Sequence, residues 1–197
     1  PVVREVIREY ASNSRLEINH HSDLPARSGV GSSSAFTVGL LHALLKLQRL
    51  NRNPSEIANL AIKIECDILK ENVGWQDQIA CSIGGLNNIY FSSKGGWSHS
   101  KINLQKLYRS KFEERMVLAY TGIARTSSDI SSGLLVNINR QTQDMIEVVE
   151  LAKAASQHIS DHGNLDDIGK MMNETWKLKK SLNQMSTNNA LNDFYNE

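Results

Sequence analysis

A chain of 197 residues, 40% hydrophobic and 22% charged, has the composition of a globular protein with room for one large or two small domains. A net charge of +1 gives no electrostatic case for nucleic acid or a membrane surface as partner. The longest apolar run, residues 35–47, is interrupted by Thr37, His42 and Lys46 and is too short to span a bilayer.

Two cysteines, Cys66 and Cys81, have no metal-ligand spacing. They read as small buried hydrophobes in a reducing, cytoplasmic compartment. The chain starts on Pro1 rather than Met and shows no leader, so a piece of something longer is expected.

Val2, Val3, Ile7 and Tyr10 are spaced as on a short amphipathic helix over 2–10. Arg15–Asn19 alternates, with Leu16 and Ile18 on one face, and predicts a half-buried strand. His20, His21 and Asp23 follow at a spacing that fits no standard metal site and read as strand-end polar residues. The segment from Leu24 to Ala35 is a Gly/Ser loop that runs into an apolar helix over about 33–48. Gly29 and Gly31 permit positive φ, and Ser32, Ser33 and Ser34 are good N-cap residues. Such a helix aims its free N–H groups and its positive dipole end at the loop, which suits a phosphate. An ordinary capped loop remains the alternative. The pattern is neither a Walker A loop nor a dinucleotide fingerprint. The helix is apolar almost all round and belongs in the middle of a domain.

Asn53-Pro54-Ser55-Glu56 carries an N-cap, a proline at the first helical position and a capping box. The helix that follows buries Ile57, Leu60, Ala61, Ile64, Ile68 and Leu69. Glu65 then falls at the edge of the buried face. A carboxylate there needs a partner, either a basic side chain or a metal. Gly74 is expected to end this helix. Asp77, between Gln76 and Gln78, opens the next apolar segment, as a cap or as a functional carboxylate. Two short strands should flank a turn at 92–97, and the charged 107–114 segment should mark a domain junction. Arg115–Tyr120 reads as a buried strand. The rest reads as helical, over about 127–158, with Asn164 capping a further helix and Met171, Met172 and Met185 filling a core. His158 and His162 have the i,i+4 spacing of a zinc pair, but no third ligand lies nearby.

Pro25-x-x-x-Gly29-x-Gly31-Ser32-Ser33-x-Ala35 resembles the ATP-phosphate loop of the GHMP small-molecule kinases, which include galactokinase, homoserine kinase and mevalonate kinase. Gly74-x-x-Asp77-Gln78 resembles the segment that carries their catalytic aspartate. Glu65 precedes Asp77 by twelve residues, the separation the family shows between its metal-binding acid and that aspartate. Residues 28–44, 65–78, 84–89 and 120–125 are most similar to the bacterial D-glycero-D-manno-heptose 7-phosphate kinases within the family.

The resemblance implies an α+β, two-lobed fold truncated at both ends. Residues 1–110 would form a ribosomal-S5-like N-terminal lobe, with the 33–48 helix against a mixed sheet. Residues 111–197 would form part of a ferredoxin-like C-terminal lobe, and the site would lie between the two. It also implies roles. Ser28, Gly29, Val30, Gly31, Ser32, Ser33 and Ser34 would wrap the ATP phosphates, Ser34 and Glu65 would coordinate Mg2+, and Asp77 would be catalytic. Gly74, Gln76, Gly122 and Arg125 would bind substrate. The expected function is ATP-dependent phosphorylation of the anomeric hydroxyl of a sugar or sugar phosphate, heptose 7-phosphate foremost. A fucokinase- or mevalonate-type enzyme, or a non-catalytic sensor, is the alternative. Expected partners are ATP and a small sugar phosphate, with no nucleic acid or membrane; a homodimer is left open.

Overall fold

Asn53 shows most directly how sequence sets structure here. Its side chain accepts from Glu56 N at 2.9 Å, and the Glu56 carboxylate accepts from Asn53 N at 2.8 Å. This reciprocal pair satisfies two backbone donors that a helix start otherwise leaves free, with Pro54 at the first helical position. The computed structural model describes residues 1–11, 15–23, 29–119, 142–182, 192–193 and 195. They form two compact units, the first ending at Gly85 and the second starting at Leu86.

In the first unit, α1 (Val2–Tyr10), α2 (Ser32–Leu47) and α3 (Pro54–Ile62) surround a common core, and α4 (Gln76–Ile83) packs on α2 and α3. A π-helical turn, Lys63–Ile68, continues α3. α2 is the hub and packs on α1, α3 and α4. It buries Val38, Leu40, Leu41, Leu44 and Leu45 against Val6, Ile57, Ala61 and Ile64. Ala35, Gly39, His42, Ala43 and Lys46 form an exposed face, so the helix is not buried all round. Leu41 is wholly buried while Leu47 is 61% exposed. We expect Leu41→Ala to cost about 2–5 kcal/mol in urea unfolding, and Leu47→Ala to stay within about 0.5 kcal/mol.

Several expectations change. Residues 15–20 are in no strand. Leu16 packs on the core, but no described residue offers this segment a ladder. The described part of the first unit is therefore helical, and no mixed sheet lies against α2 there. α2 starts from Gly31, whose φ is 71°, with no side-chain cap, so none of the three serines is the N-cap. The helix after Asn53 ends at Ile68, not at Gly74, and Lys70 takes the left-handed position with φ 56°.

In the second unit, β1 (Asn87–Phe91) and β2 (Trp97–Lys101) form an antiparallel hairpin, with Asn87 opposite Lys101 and Phe91 opposite Trp97. Gly95 and Gly96, at φ 89° and 87°, make the turn, and Ser92 N donates to Gly96 O at 3.1 Å. α5 (Lys106–Glu114), α6 (Thr142–Ser160) and α7 (Leu165–Leu182) follow. Asn164 Oδ1 accepts from Asp166 N at 3.0 Å, capping α7 as expected. Tyr108 Oη donates to Gly163 O at 3.0 Å and Arg115 pairs with Asp166 at 2.5 Å, which fastens α5 to the α6–α7 turn. Met116–Ala119 is not a buried strand. Met116, Val117 and Leu118 are 54%, 89% and 76% exposed, because no described strand pairs with them. Met172 is exposed rather than core-filling, and Met185 lies outside the described residues. Among the described residues, no helix is long and apolar enough to cross a membrane.

Candidate active site

The start of α2 carries the candidate site. Gly29 and Gly31 have φ 78° and 71°, a region open to glycine at little cost. Val30 is exposed, and Ser32 and Ser33 lie in the first turn. Ser33 O accepts from Thr37 Oγ1 at 3.1 Å. A helix that begins this way presents N–H donors without side-chain competition, and an anion is the natural acceptor.

In the same first turn, Ser34 is buried and its hydroxyl donates to Glu65 Oε2 at 2.9 Å. Glu65 comes from the π-helical turn, where Leu69 N reaches back five residues to Ile64 O at 2.9 Å. Such turns recur at functional sites. Glu65 is not at the edge of a buried face; it is 1% exposed. The Gln78 amide also donates to Oε2, while Oε1 is buried and has no partner among the described residues. Among the described residues, no Lys, Arg or His pairs with Glu65. A buried carboxylate held only by neutral donors keeps most of its desolvation cost.

Asp77 lies in the first turn of α4, and its side chain does not cap the helix, whose N-cap is Trp75. A β-carbon placed on Gly31 would stand 3.4 Å from Asp77 Cγ and Oδ2. The exposed Asp77 carboxylate therefore lies beside the start of α2, where the dipole favours negative charge. Gln76 and Gly74 are exposed just before it. The structure thus gathers Gly31, Ser34, Glu65 and Asp77. Ser28, Gly122 and Arg125 lie outside the described residues.

Mg2+ takes hard oxygen ligands. A serine hydroxyl beside a carboxylate with one bare, buried oxygen fits that preference, so the residues present suit the ion. Among the described residues, this site included, no cluster of three or more His, Cys, Asp or Glu could hold a metal. The His158/His162 pair serves structure instead. His162 accepts from Gln105 N at 3.3 Å and packs on Tyr108 at 4.8 Å, while His158 bonds Asn164 O at 2.9 Å.

Both cysteines are free. Cys66 is half-buried, and Cys81, one helical turn after Asp77, is exposed rather than core. Partial burial raises the Cys81 thiol above its ordinary pKa, and the Asp77 and Glu65 charges raise it further. A raised pKa leaves less thiolate at a given pH. Alkylation of Cys81 by iodoacetamide, followed by mass spectrometry, should therefore reach half-maximal rate above the pH of a free thiol. Asp77→Asn should move that midpoint down.

Residues 2–85 match the family model described as the GHMP kinases N-terminal domain. Across 91% of its length the chain aligns at 29% identity with a D-glycero-alpha-D-manno-heptose 7-phosphate kinase from Campylobacter jejuni. A crystal structure of a D-glycero-D-manno-heptose 1-phosphate kinase from Bacteroides thetaiotaomicron matches 91% of the chain with a TM-score of 0.62 and 25% identity. The bifunctional fucokinase/GDP-fucose pyrophosphorylase of Arabidopsis thaliana aligns over 98% of the chain at 23% identity. The chain spans 53% of the Campylobacter protein, 53% of the crystallised one and 19% of the plant one. These relatives are phosphotransferases that act on hydroxyl groups.

One contributor was not singled out from sequence. Gln78 stands in the sequence as the residue after Asp77 in the Gly74-x-x-Asp77-Gln78 pattern, with no role of its own, yet it is fully buried against Glu65. An amide at a helix position flanked by Ile79 and Asp77 was the available signal.

Proposed function

We propose that the full protein is an ATP-dependent kinase that phosphorylates the anomeric hydroxyl of a sugar phosphate, with D-glycero-D-manno-heptose 7-phosphate as the favoured acceptor. The observation that carries this reading is Glu65. It is a buried carboxylate with one bare oxygen, hydrogen-bonded to a serine at a helix start that Asp77 also faces. The relatives' names support the acceptor class.

In this reading, residues 28–34 cradle the ATP phosphates through backbone N–H groups, and Ser34 with Glu65 hold Mg2+. The ion supplies neutralisation of the phosphate charge. Asp77 orients the acceptor hydroxyl and takes its proton as the new P–O bond forms and the β–γ bridge breaks. Gly74, Gln76, Gly122 and Arg125 line the sugar side, with Arg125 suited to pair with a substrate phosphate.

A fucokinase-type acceptor is the second reading, favoured by the alignment with the plant enzyme along nearly the whole chain. A coupled ADP-release assay on the full-length protein decides between them. Turnover fastest with heptose 7-phosphate is the expected result, turnover fastest with L-fucose selects the second reading, and no ADP release with any sugar overturns both.

A further inference from the structure

Gln78 is an unusual residue to bury. It is fully inside, and its side-chain oxygen has no partner there. A buried amide oxygen left unpaired is destabilising, so packing alone would favour an apolar residue. The amide has one strong contact, the bond from its nitrogen to Glu65 Oε2. Its orientation is fixed by chemistry. An ionised carboxylate only accepts hydrogen bonds, so the NH2 group must face it.

The pattern around Glu65 is lopsided. Ser34 and Gln78 both donate to Oε2, and none of the described residues donates to Oε1. Two donors on one oxygen fix the plane and rotation of the carboxylate. The other oxygen is left without a donor among the described residues. A carboxylate fastened at one oxygen and free at the other is oriented to meet a cation. We infer that Gln78 is a positioning residue, whose amide clamps Glu65 Oε2 so that Oε1 is presented to a divalent cation. The inference rests on the reading of Ser34 and Glu65 as the cation-holding pair. Gln78 itself touches neither substrate nor the reacting atoms.

The chain supports this division in its construction. Gln78 sits on α4, directly after Asp77, while Glu65 belongs to the π-helical turn. One short helix therefore carries both the candidate catalytic carboxylate and the clamp on the metal-binding one. Outer groups that hydrogen-bond a metal-binding carboxylate typically contribute 10–100-fold in metal affinity.

The test measures Mn2+ binding by electron paramagnetic resonance, in the presence of ADP, on the full-length protein. Wild type, Glu65→Gln and Gln78→Met are compared. ADP affinity without metal is measured in parallel, and circular dichroism checks the fold. Gln78→Asn, which keeps a neutral amide but is one methylene short of Glu65, replaces Gln78→Met if the latter does not fold. We expect the Gln78 variant to bind Mn2+ about 10–100-fold more weakly, with unchanged affinity for ADP alone. Mn2+ binding lost in Glu65→Gln but wild-type in the folded Gln78 variant overturns the inference and leaves the Ser34–Glu65 reading standing. Equal Mn2+ binding in wild type and Glu65→Gln, or none in wild type, overturns that reading and the inference with it.

Discussion

Asp77→Asn should lower kcat by about 10²–10⁴-fold, the range for a lost general base, in a protein that folds and binds ATP as before. The structure makes this a clean substitution. Asp77 is exposed and does not cap α4, whose N-cap is Trp75. The change therefore removes no helix-start hydrogen bond. Its stability cost is the lost interaction of the carboxylate with the positive ends of α4 and α2, about 0.3–1 kcal/mol for each. Asparagine also keeps the size of the group packed beside Gly31. An ADP-release assay with heptose 7-phosphate, paired with a melting curve, separates the two effects. Wild-type turnover in Asp77→Asn removes Asp77 from the chemistry.

Glu65→Gln should behave in the opposite way for stability and in the same way for activity. The amide oxygen can still accept from Ser34 and Gln78, so the local hydrogen bonds survive. What disappears is a buried negative charge that no basic side chain among the described residues offsets. Removing such a charge is neutral or stabilising. Turnover, however, should fall by about 10²–10³-fold, the equivalent of several kcal/mol of lost electrophilic assistance. The combination of a melting temperature at or above wild type with greatly reduced ADP release identifies a functional carboxylate. A lower melting temperature with turnover retained identifies a structural one.

The parts of this architecture that were legible in the sequence are those written in local code. Asn53, Pro54 and Glu56 specify a helix start through hydrogen bonds that close within four residues. The 92–97 turn is likewise decided by its own glycines. Glu65 and Asp77 were legible as candidates because family spacing ties them together. Their surroundings were not. Whether Glu65 meets a cationic side chain depends on which helices pack against it, and no periodicity encodes that. The π-helical turn escaped notice because bonding five residues back instead of four leaves no mark in composition. Gln78 escaped for the same reason as Glu65's neighbours, since burial of one amide on α4 is set by α2 and α3. The strands expected at 15–19 and 115–120 fail differently. Alternating or apolar side chains state a preference for a sheet, but a strand exists only when a second strand accepts its hydrogen bonds. Among the described residues neither segment has one.

That last point reaches beyond the site. Met116, Val117 and Leu118 stand side by side in water on a segment of strand-forming composition. Short apolar stretches of this kind are the seeds from which chains zip together. Turbidity that rises with protein concentration, and that falls when Val117 is replaced by lysine, is the colloidal behaviour this segment dictates.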